Sequence, residues 1–132
     1  MSAQPMALAY AGVVTPHEAH ALRQAGEAHI VDVRTPEEWH HVGHVPDAPL
    51  IAWPRAGGRD ELHAFVAAFR SRFHPAEKLL LLCRSGVRSH HAAELLAAVG
   101  FRNVYNVIEG FEGDQGAGRN GWRAAGLPWR RP

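Results

Sequence analysis

The stretch Leu79-Leu80-Leu81-Leu82-Cys83-Arg84-Ser85-Gly86-Val87-Arg88-Ser89 passes from four consecutive aliphatic residues into a glycine-containing turn flanked by two arginines. Four apolar residues in a row are the pattern of a strand covered on both faces, as in the interior of a parallel sheet. Beyond the turn, Ala92, Leu95, Leu96 and Val99 recur at helical spacing and Gly100 stops them, so a helix is expected from about Ser89. Upstream, Leu62, Phe65, Val66 and Phe69 mark an amphipathic helix over Asp60 to Arg72. Two further helices begin at Thr15-Pro16-His17-Glu18 and Thr35-Pro36-Glu37-Glu38, each a Thr cap with Pro at the first helical position and Glu at the third. The first of them is expected to end at Gly26. Each follows a β-rich stretch, Ala11 to Val14 and His29 to Val33. Pro46 and Pro49 bracket a turn into a short strand at Leu50-Ile51, and Val104 to Val107 is a last strand. Strands alternating with helices in this way predict an α/β fold, an open and mostly parallel five-stranded sheet flanked by helices on both faces. Ligands of such sheets bind outside the carboxyl ends of the strands, where Cys83 falls.

Composition narrows the function classes. A length of 132 residues suits one domain, expected to span 1–132. The single cysteine excludes an internal disulfide framework and any multi-cysteine metal cluster. No apolar run approaches the ~20 residues of a membrane span. The net charge is +1 and the four tryptophans are not interleaved with a basic stripe, which argues against a nucleic-acid partner. Thirteen arginines against the one lysine, Lys78, point to a GC-rich bacterial genome. The start, Met1 to Tyr10, carries no basic residue ahead of its apolar part, unlike a secretory signal. The expected compartment is the cytoplasm, where a lone cysteine stays reduced.

The chemistry is expected at Cys83. Gly86 lets the backbone turn so that successive N–H groups converge as an anion-binding nest. The helix that follows adds unpaired N–H donors and the positive end of its dipole. Arg84 and Arg88 add permanent charge. All three features favour thiolate over thiol. A free cysteine is ordinarily a small buried hydrophobe, but one on a strand end, before a glycine turn with two arginines, is a candidate nucleophile.

Cys83 to Ser89 resembles the active-site loop of the rhodaneses, the thiosulfate sulfurtransferases. Asp32-Val33-Arg34 with Pro36-Glu37-Glu38-Trp39 is similar to that family's first signature. Gly43-His44-Val45-Pro46-Asp47-Ala48 resembles its Gly-His-Ile-Pro-Gly-Ala stretch, with Asp47 in place of the usual glycine. Gly100-Phe101-Arg102-Asn103-Val104, Glu109-Gly110-Phe111, Gly121-Trp122 and Gly126-Leu127-Pro128 continue the likeness in order, from about Thr15 to Trp129. The resemblance implies a rhodanese-like sheet and a double displacement. The Cys83 thiolate takes the outer sulfur of thiosulfate, or of a similar sulfane-sulfur donor, and passes it to cyanide or a thiol, including a protein thiol. Arg84, Ser85, Gly86, Val87, Arg88 and Ser89 would form the anion cradle, with no metal or organic cofactor. The resemblance also admits a second role, as a persulfide carrier or docking module for a partner protein.

Loop length separates this reading from a phosphatase or an arsenate reductase on the same fold. Tyrosine phosphatases place an arginine six positions after the cysteine; here Arg88 is the fifth and Ser89 the sixth. Mercaptopyruvate sulfurtransferases carry glycine directly after the cysteine, where this chain has Arg84, which suits an inorganic dianion. The histidine pairs His40-His41 and His90-His91 match no recognised zinc spacing, and neighbours on one helix point in different directions. No metal site is expected, and a surface position is expected for His90 and His91. His44 is expected to brace a turn. Asp32 and Arg34 are expected to form an ion pair fixing the strand-to-helix turn, the alternative being that they order the active loop through hydrogen bonds. Gly110 to Gly121 is expected as a long surface loop, and the tryptophans as packing and lid residues.

Overall fold

Leu79–Leu82 forms β3, and each of its four residues is buried because strands pair with it on both sides. In the computed structural model, which describes residues 9–55, 57–114, 116 and 118–132, its neighbours are β2 (His29–Asp32) and β4 (Val104–Val107). β1 (Gly12–Val14) adds to the far side of β4, giving the order β1-β4-β3-β2 with every pairing parallel. The register sets Asp32 beside Leu82 and Asn106 beside Leu81, so the carboxyl ends of three strands converge where β3 runs into Cys83. The apolar start, Met1 to Leu8, lies outside the described residues, as do Ala56, Gln115 and Ala117.

Side-chain alternation along β3 divides the core into two layers. Leu79 and Leu81 pack with Phe65, Phe69 and Leu96 under α3 (Arg59–Arg72) and α4 (Val87–Ala98). Leu80 and Leu82 pack on the other face with Ala19 of α1 (Pro16–Gln24) and Trp122 of α5 (Gly121–Ala124). Both faces are covered, which is why no polar residue interrupts the strand. The Thr15 and Thr35 caps form as the sequence predicts. Each hydroxyl accepts the N–H of its third helical residue while Glu18 or Glu38 reaches back to the cap, starting α1 and α2 (Pro36–His41). α1 ends at Gln24, two residues before the expected glycine, with Gly26 at φ 74° just past the Ala25 cap. α4 begins at Val87, two residues before the expected Ser89, because Gly86 at φ 99° already serves as its cap. No helix among the described residues is long and apolar enough to cross a membrane.

Among the described residues the sheet has four strands, where the sequence predicts five. The expected strand at Leu50-Ile51 makes a single parallel bridge to Asp32: Asp32 N–H donates to Pro49 O, and Ile51 N–H to Asp32 O, both at 2.9 Å. To extend this ladder, residue 49 would have to donate on one side and the Arg34 N–H would have to reach Ile51 on the other. Pro49 has no N–H. The Arg34 N–H is taken by Asp32 Oδ1 at 2.9 Å. A side chain therefore ends the pairing that apolar patterning favoured.

The same carboxylate holds the Arg34 guanidinium through Nε and, at 2.7 Å, Nη2; both side chains are fully buried. Arg34 Nη2 also donates to Gly43 O at 2.7 Å, tying the end of α2 to the end of β2. A buried charge that loses its only counter-ion is costly. Asp32→Ala is expected to lower the unfolding free energy by about 3–5 kcal/mol in a urea titration. A loss under about 1 kcal/mol would mean that this pair does not hold the edge of the sheet.

Candidate active site

Cys83 follows β3 directly, and the residue is 1% exposed. A nucleophilic thiolate needs access to its partner; the structure wraps the loop around this sulfur. Gly86 N–H points at Cys83 Sγ from 3.1 Å, and Ser89 Oγ lies 3.2 Å from the same atom. The φ of 99° at Gly86 is the reason for glycine there, since an added Cβ would meet nothing closer than Glu109 N at 3.6 Å. α4 then starts with no capping side chain, which leaves its first turn as a source of N–H donors beside the sulfur. Burial opposes charge on the sulfur, while these donors and the helix end favour it.

The loop is held from behind by backbone. Phe111 N–H donates to Cys83 O at 2.8 Å and Glu112 N–H to Arg84 O at 2.9 Å. This approach needs Gly110: a Cβ there would stand 2.5 Å from Arg84 O and 2.6 Å from Cys83 O. Phe111 is fully buried, so the segment expected as a surface loop begins inside the core. The reason is that its first residues supply the donors that the Cys83 and Arg84 carbonyls require. Arg34 reaches the loop only through this residue, its guanidinium carbon 4.4 Å above the Phe111 ring. The Asp32–Arg34 pair is thus the turn-fixing ion pair the sequence suggests, and its hydrogen bonds go to Gly43 and within the pair.

The structure separates the residues expected to cradle an anion. Ser89 is fully buried against the sulfur, and Val87 is 62% exposed at the start of α4. Arg84 is well exposed, with Nε 3.4 Å from Glu112 Oε2. With Ser85, Glu112, Gly113, Asp114 and Arg123 it lines a polar cleft of about 530 Å³. Arg88 turns to Glu38 of α2, Nη1 at 2.6 Å and Nη2 at 2.8 Å from the two carboxylate oxygens. Two of its five N–H donors go to that clamp, and Cys83 is among the groups its charge interacts with. A larger apolar groove of about 950 Å³, between Leu62 and Val66 of α3 and Leu95 of α4, includes none of the loop residues.

A sequence family described as the rhodanese-like domain matches residues 15–117. The chain belongs to the rhodanese family. Among its relatives is the RP600 homolog of Rickettsia rickettsii, 35% identical over 78% of this chain and 83% of that protein. Another is the protein named thiosulfate sulfurtransferase GlpE of Actinobacillus succinogenes, 31% identical over 87% of this chain and 86% of its own length. The crystal structure of Rv0390 from M. tuberculosis superposes with a TM-score of 0.76 at 39% identity, covering 93% of this chain and 99% of that one.

Three residues of this rhodanese site escape a reading of the sequence. Asn106, buried in β4, donates through Nδ2 to Gly86 O at 3.0 Å and sits 2.6 Å from Ser89 Oγ. Its signal was a polar residue inside the apolar strand Val104-Tyr105-Asn106-Val107. Glu38 was already explained by the Thr35 cap, which hid its second partner. Phe111 lay in a stretch whose glycines read as loop. Elsewhere, His44 braces its turn as expected, exchanging backbone hydrogen bonds with Arg130 at 2.8 and 2.9 Å and stacking on Trp39 at 3.5 Å. Trp122 is packing, fully buried. His90 and His91 both turn to Glu94 one helical turn on, at 3.5 and 3.4 Å, where neighbours on a helix were expected to diverge. The shared carboxylate draws both rings to one side.

Partial burial pushes the Glu38 carboxyl up. The Arg88 hydrogen bonds, the Thr35 N–H, the Arg88 charge and the Thr35 hydroxyl outweigh it, bringing the group from its ordinary 4.5 down to about 2. A carboxyl lowered on folding stabilises the fold fully above its unfolded value and loses that contribution as pH falls towards its folded one. Because the pair is partly solvated, Glu38→Gln is expected to cost only about 1 kcal/mol near neutral pH. That gap should shrink as the pH falls from 4.5 towards 2. Denaturation curves for both proteins across this range test it; a gap independent of pH would detach the shift from the clamp.

Proposed function

We propose that this chain is a thiosulfate sulfurtransferase in which Cys83 carries the transferred sulfur as a persulfide. The observation that carries the reading is the convergence of the Gly86 N–H and the Ser89 hydroxyl on Cys83 Sγ at the start of α4. A fixed N–H on the sulfur, a hydroxyl that can turn its proton to it and the positive end of a helix together suit a sulfur anion. The Actinobacillus succinogenes relative named for thiosulfate sulfurtransfer supports the donor.

The reaction runs in two displacements. The Cys83 thiolate attacks the outer sulfur of thiosulfate, forming an S–S bond as the bond to the sulfite sulfur breaks. Sulfite leaves with the electron pair, and the negative charge of the thiolate passes to the outer sulfur of the persulfide. Cyanide or a thiolate then takes that outer sulfur, leaving as thiocyanate or a new persulfide and restoring the Cys83 thiolate. Charge balances in each step, and neither step needs a metal or an organic cofactor. Low basicity of sulfite makes it a good leaving group.

The separated arginines have separate tasks in this scheme. Arg84, exposed on the polar cleft with Ser85, meets the incoming dianion and stabilises sulfite as it departs. Arg88, clamped on Glu38, contributes fixed positive charge near the sulfur without touching the donor. The five-residue spacing from Cys83 to Arg88 keeps the hollow small, which favours a sulfur on the cysteine over a phosphate. The reduced thiol this chemistry requires suits a cytoplasmic setting.

Intact-mass measurement after brief exposure to thiosulfate should show wild type gaining one sulfur atom and Cys83→Ser gaining none, with cyanide removing it. A Cys83 that stays unmodified by thiosulfate, mercaptopyruvate and polysulfide alike would end the enzyme reading. Arg84→Ala should raise KM for thiosulfate about tenfold, the scale of one hydrogen-bonded charge contact. An unchanged KM would remove Arg84 from donor binding.

A further inference from the structure

Asn106 is a buried polar residue whose amide is used at both ends. Its Nδ2 faces Gly86 O at 3.0 Å, and a carbonyl oxygen can only accept. That contact fixes the orientation of the amide, so Oδ1 is the end that faces Ser89 Oγ at 2.6 Å. Oδ1 carries no proton, and Ser89 must therefore donate. A serine hydroxyl has one proton to give. Committed to Asn106, it leaves Ser89 Oγ presenting lone pairs towards Cys83 Sγ, 3.2 Å away.

We propose that Asn106 is a positioning residue that competes with the Cys83 sulfur for the single proton of Ser89, and so restrains formation of the thiolate. With a neutral thiol, the donors run in one direction: S–H to Ser89, O–H to Asn106, N–H to Gly86 O. With a thiolate, Ser89 must rotate its proton to the sulfur, and Asn106 Oδ1 is left without that donor in a buried site. Leaving a buried acceptor unpaired has a cost, and that cost falls on the charged state alone. The Gly86 N–H is the donor that stays on the sulfur in either state. The inference rests on Cys83 as the nucleophile, but its consequence is for ionisation and is measured without any sulfur donor.

Other groups around the sulfur are held in common by the variants that test this. They are Arg88 of α4 with its Glu38 clamp from α2, and Asp32 with Arg34 at the end of β2. Arg84 stands on the loop itself with Glu112. The Tyr10 phenol is a further hydrogen-bonding neighbour of Asn106, and His90 Nδ1 lies 2.6 Å from the phenol oxygen. Replacing residue 106 or 89 by an apolar one adds or removes no charged side chain; the change that Asn106→Ala makes at Tyr10 is subtracted by a Cys83→Ser blank in the same background.

The experiment is a pH titration of the ultraviolet thiolate absorbance of the full chain, with Cys83→Ser as the blank. Asn106→Ala should move the midpoint to lower pH, with about tenfold more thiolate at a pH below it. Ser89→Ala should move it to higher pH. In the Ser89→Ala background, Asn106→Ala should have no effect, because no hydroxyl proton remains to be contested. An equal shift in both backgrounds, or an upward shift in the single variant, would overturn the proposal and leave Asn106 as a brace for Gly86. If Asn106→Ala does not fold, Asn106→Leu fills the same volume without donor or acceptor and is expected to shift the midpoint in the same direction. Failure of sulfur loading with this coupling intact would instead count against the proposed reaction.

Discussion

A fully buried ion pair between Asp32 and Arg34 sets the positions on which the rest of the site depends. Taking both charges out of water is expensive, and the pair offsets this by dense hydrogen bonding: three Arg34 donors on one carboxylate and a fourth contact to Gly43 O. The guanidinium plane then lies over Phe111, whose ring face attracts it. Phe111 in turn gives its N–H to Cys83 O, and Glu112 gives its own to Arg84 O. Rigidity passes from the edge strand β2 through a cation and a ring to the backbone of the loop. Cys83 is placed by a pair that forms no hydrogen bond with it.

What the loop then does follows from one conformation. Only a residue that accepts φ near 99° can turn the chain at position 86 so that its N–H faces the sulfur while its C=O faces β4. The sulfur is buried, so its charge depends on a few fixed donors in place of water. A free guanidinium in the hollow would add attraction but also bulk. The structure keeps the Arg88 charge nearby and its two terminal nitrogens on Glu38. Arg84, on the exposed side, lines the polar cleft together with Arg123.

Much of this was legible in the sequence, for reasons that are local. The Thr-Pro-x-Glu caps need only four adjacent residues, and both formed. The run Leu79–Leu82 declares a two-sided strand because nothing polar could be tolerated there, and its carboxyl end locates Cys83. The sequence conceals those places where a side chain substitutes for backbone or reaches across the chain. Leu50-Ile51 has strand composition, but the Asp32 carboxylate removes the N–H its ladder required and Pro49 never had one. Arg88 reads as a ligand for anions until Glu38, fifty positions away, is seen to hold it. Asn106 was visible as a polar break in a strand, yet nothing in its neighbours says that Gly86 and Ser89 stand opposite.

Glu38 shows why such long-range pairing matters for chemistry. Its carboxylate closes the cap of α2 through Thr35 and accepts both terminal nitrogens of Arg88 on α4. One side chain therefore joins the first turns of two helices. The first turn of α4 is where the Ser89 hydroxyl meets the sulfur, so any slip of that helix would change the 3.2 Å contact on which the charge of Cys83 depends. Electrostatic stabilisation needs dipoles that do not reorganise as charge develops. In this site that condition is met at both ends of the loop: by the Phe111 and Glu112 amides behind Cys83, and by the Glu38–Arg88 clamp at the start of the helix. Between them the Ser89 hydroxyl keeps one rotational freedom, and the amide of Asn106 decides how that freedom is used.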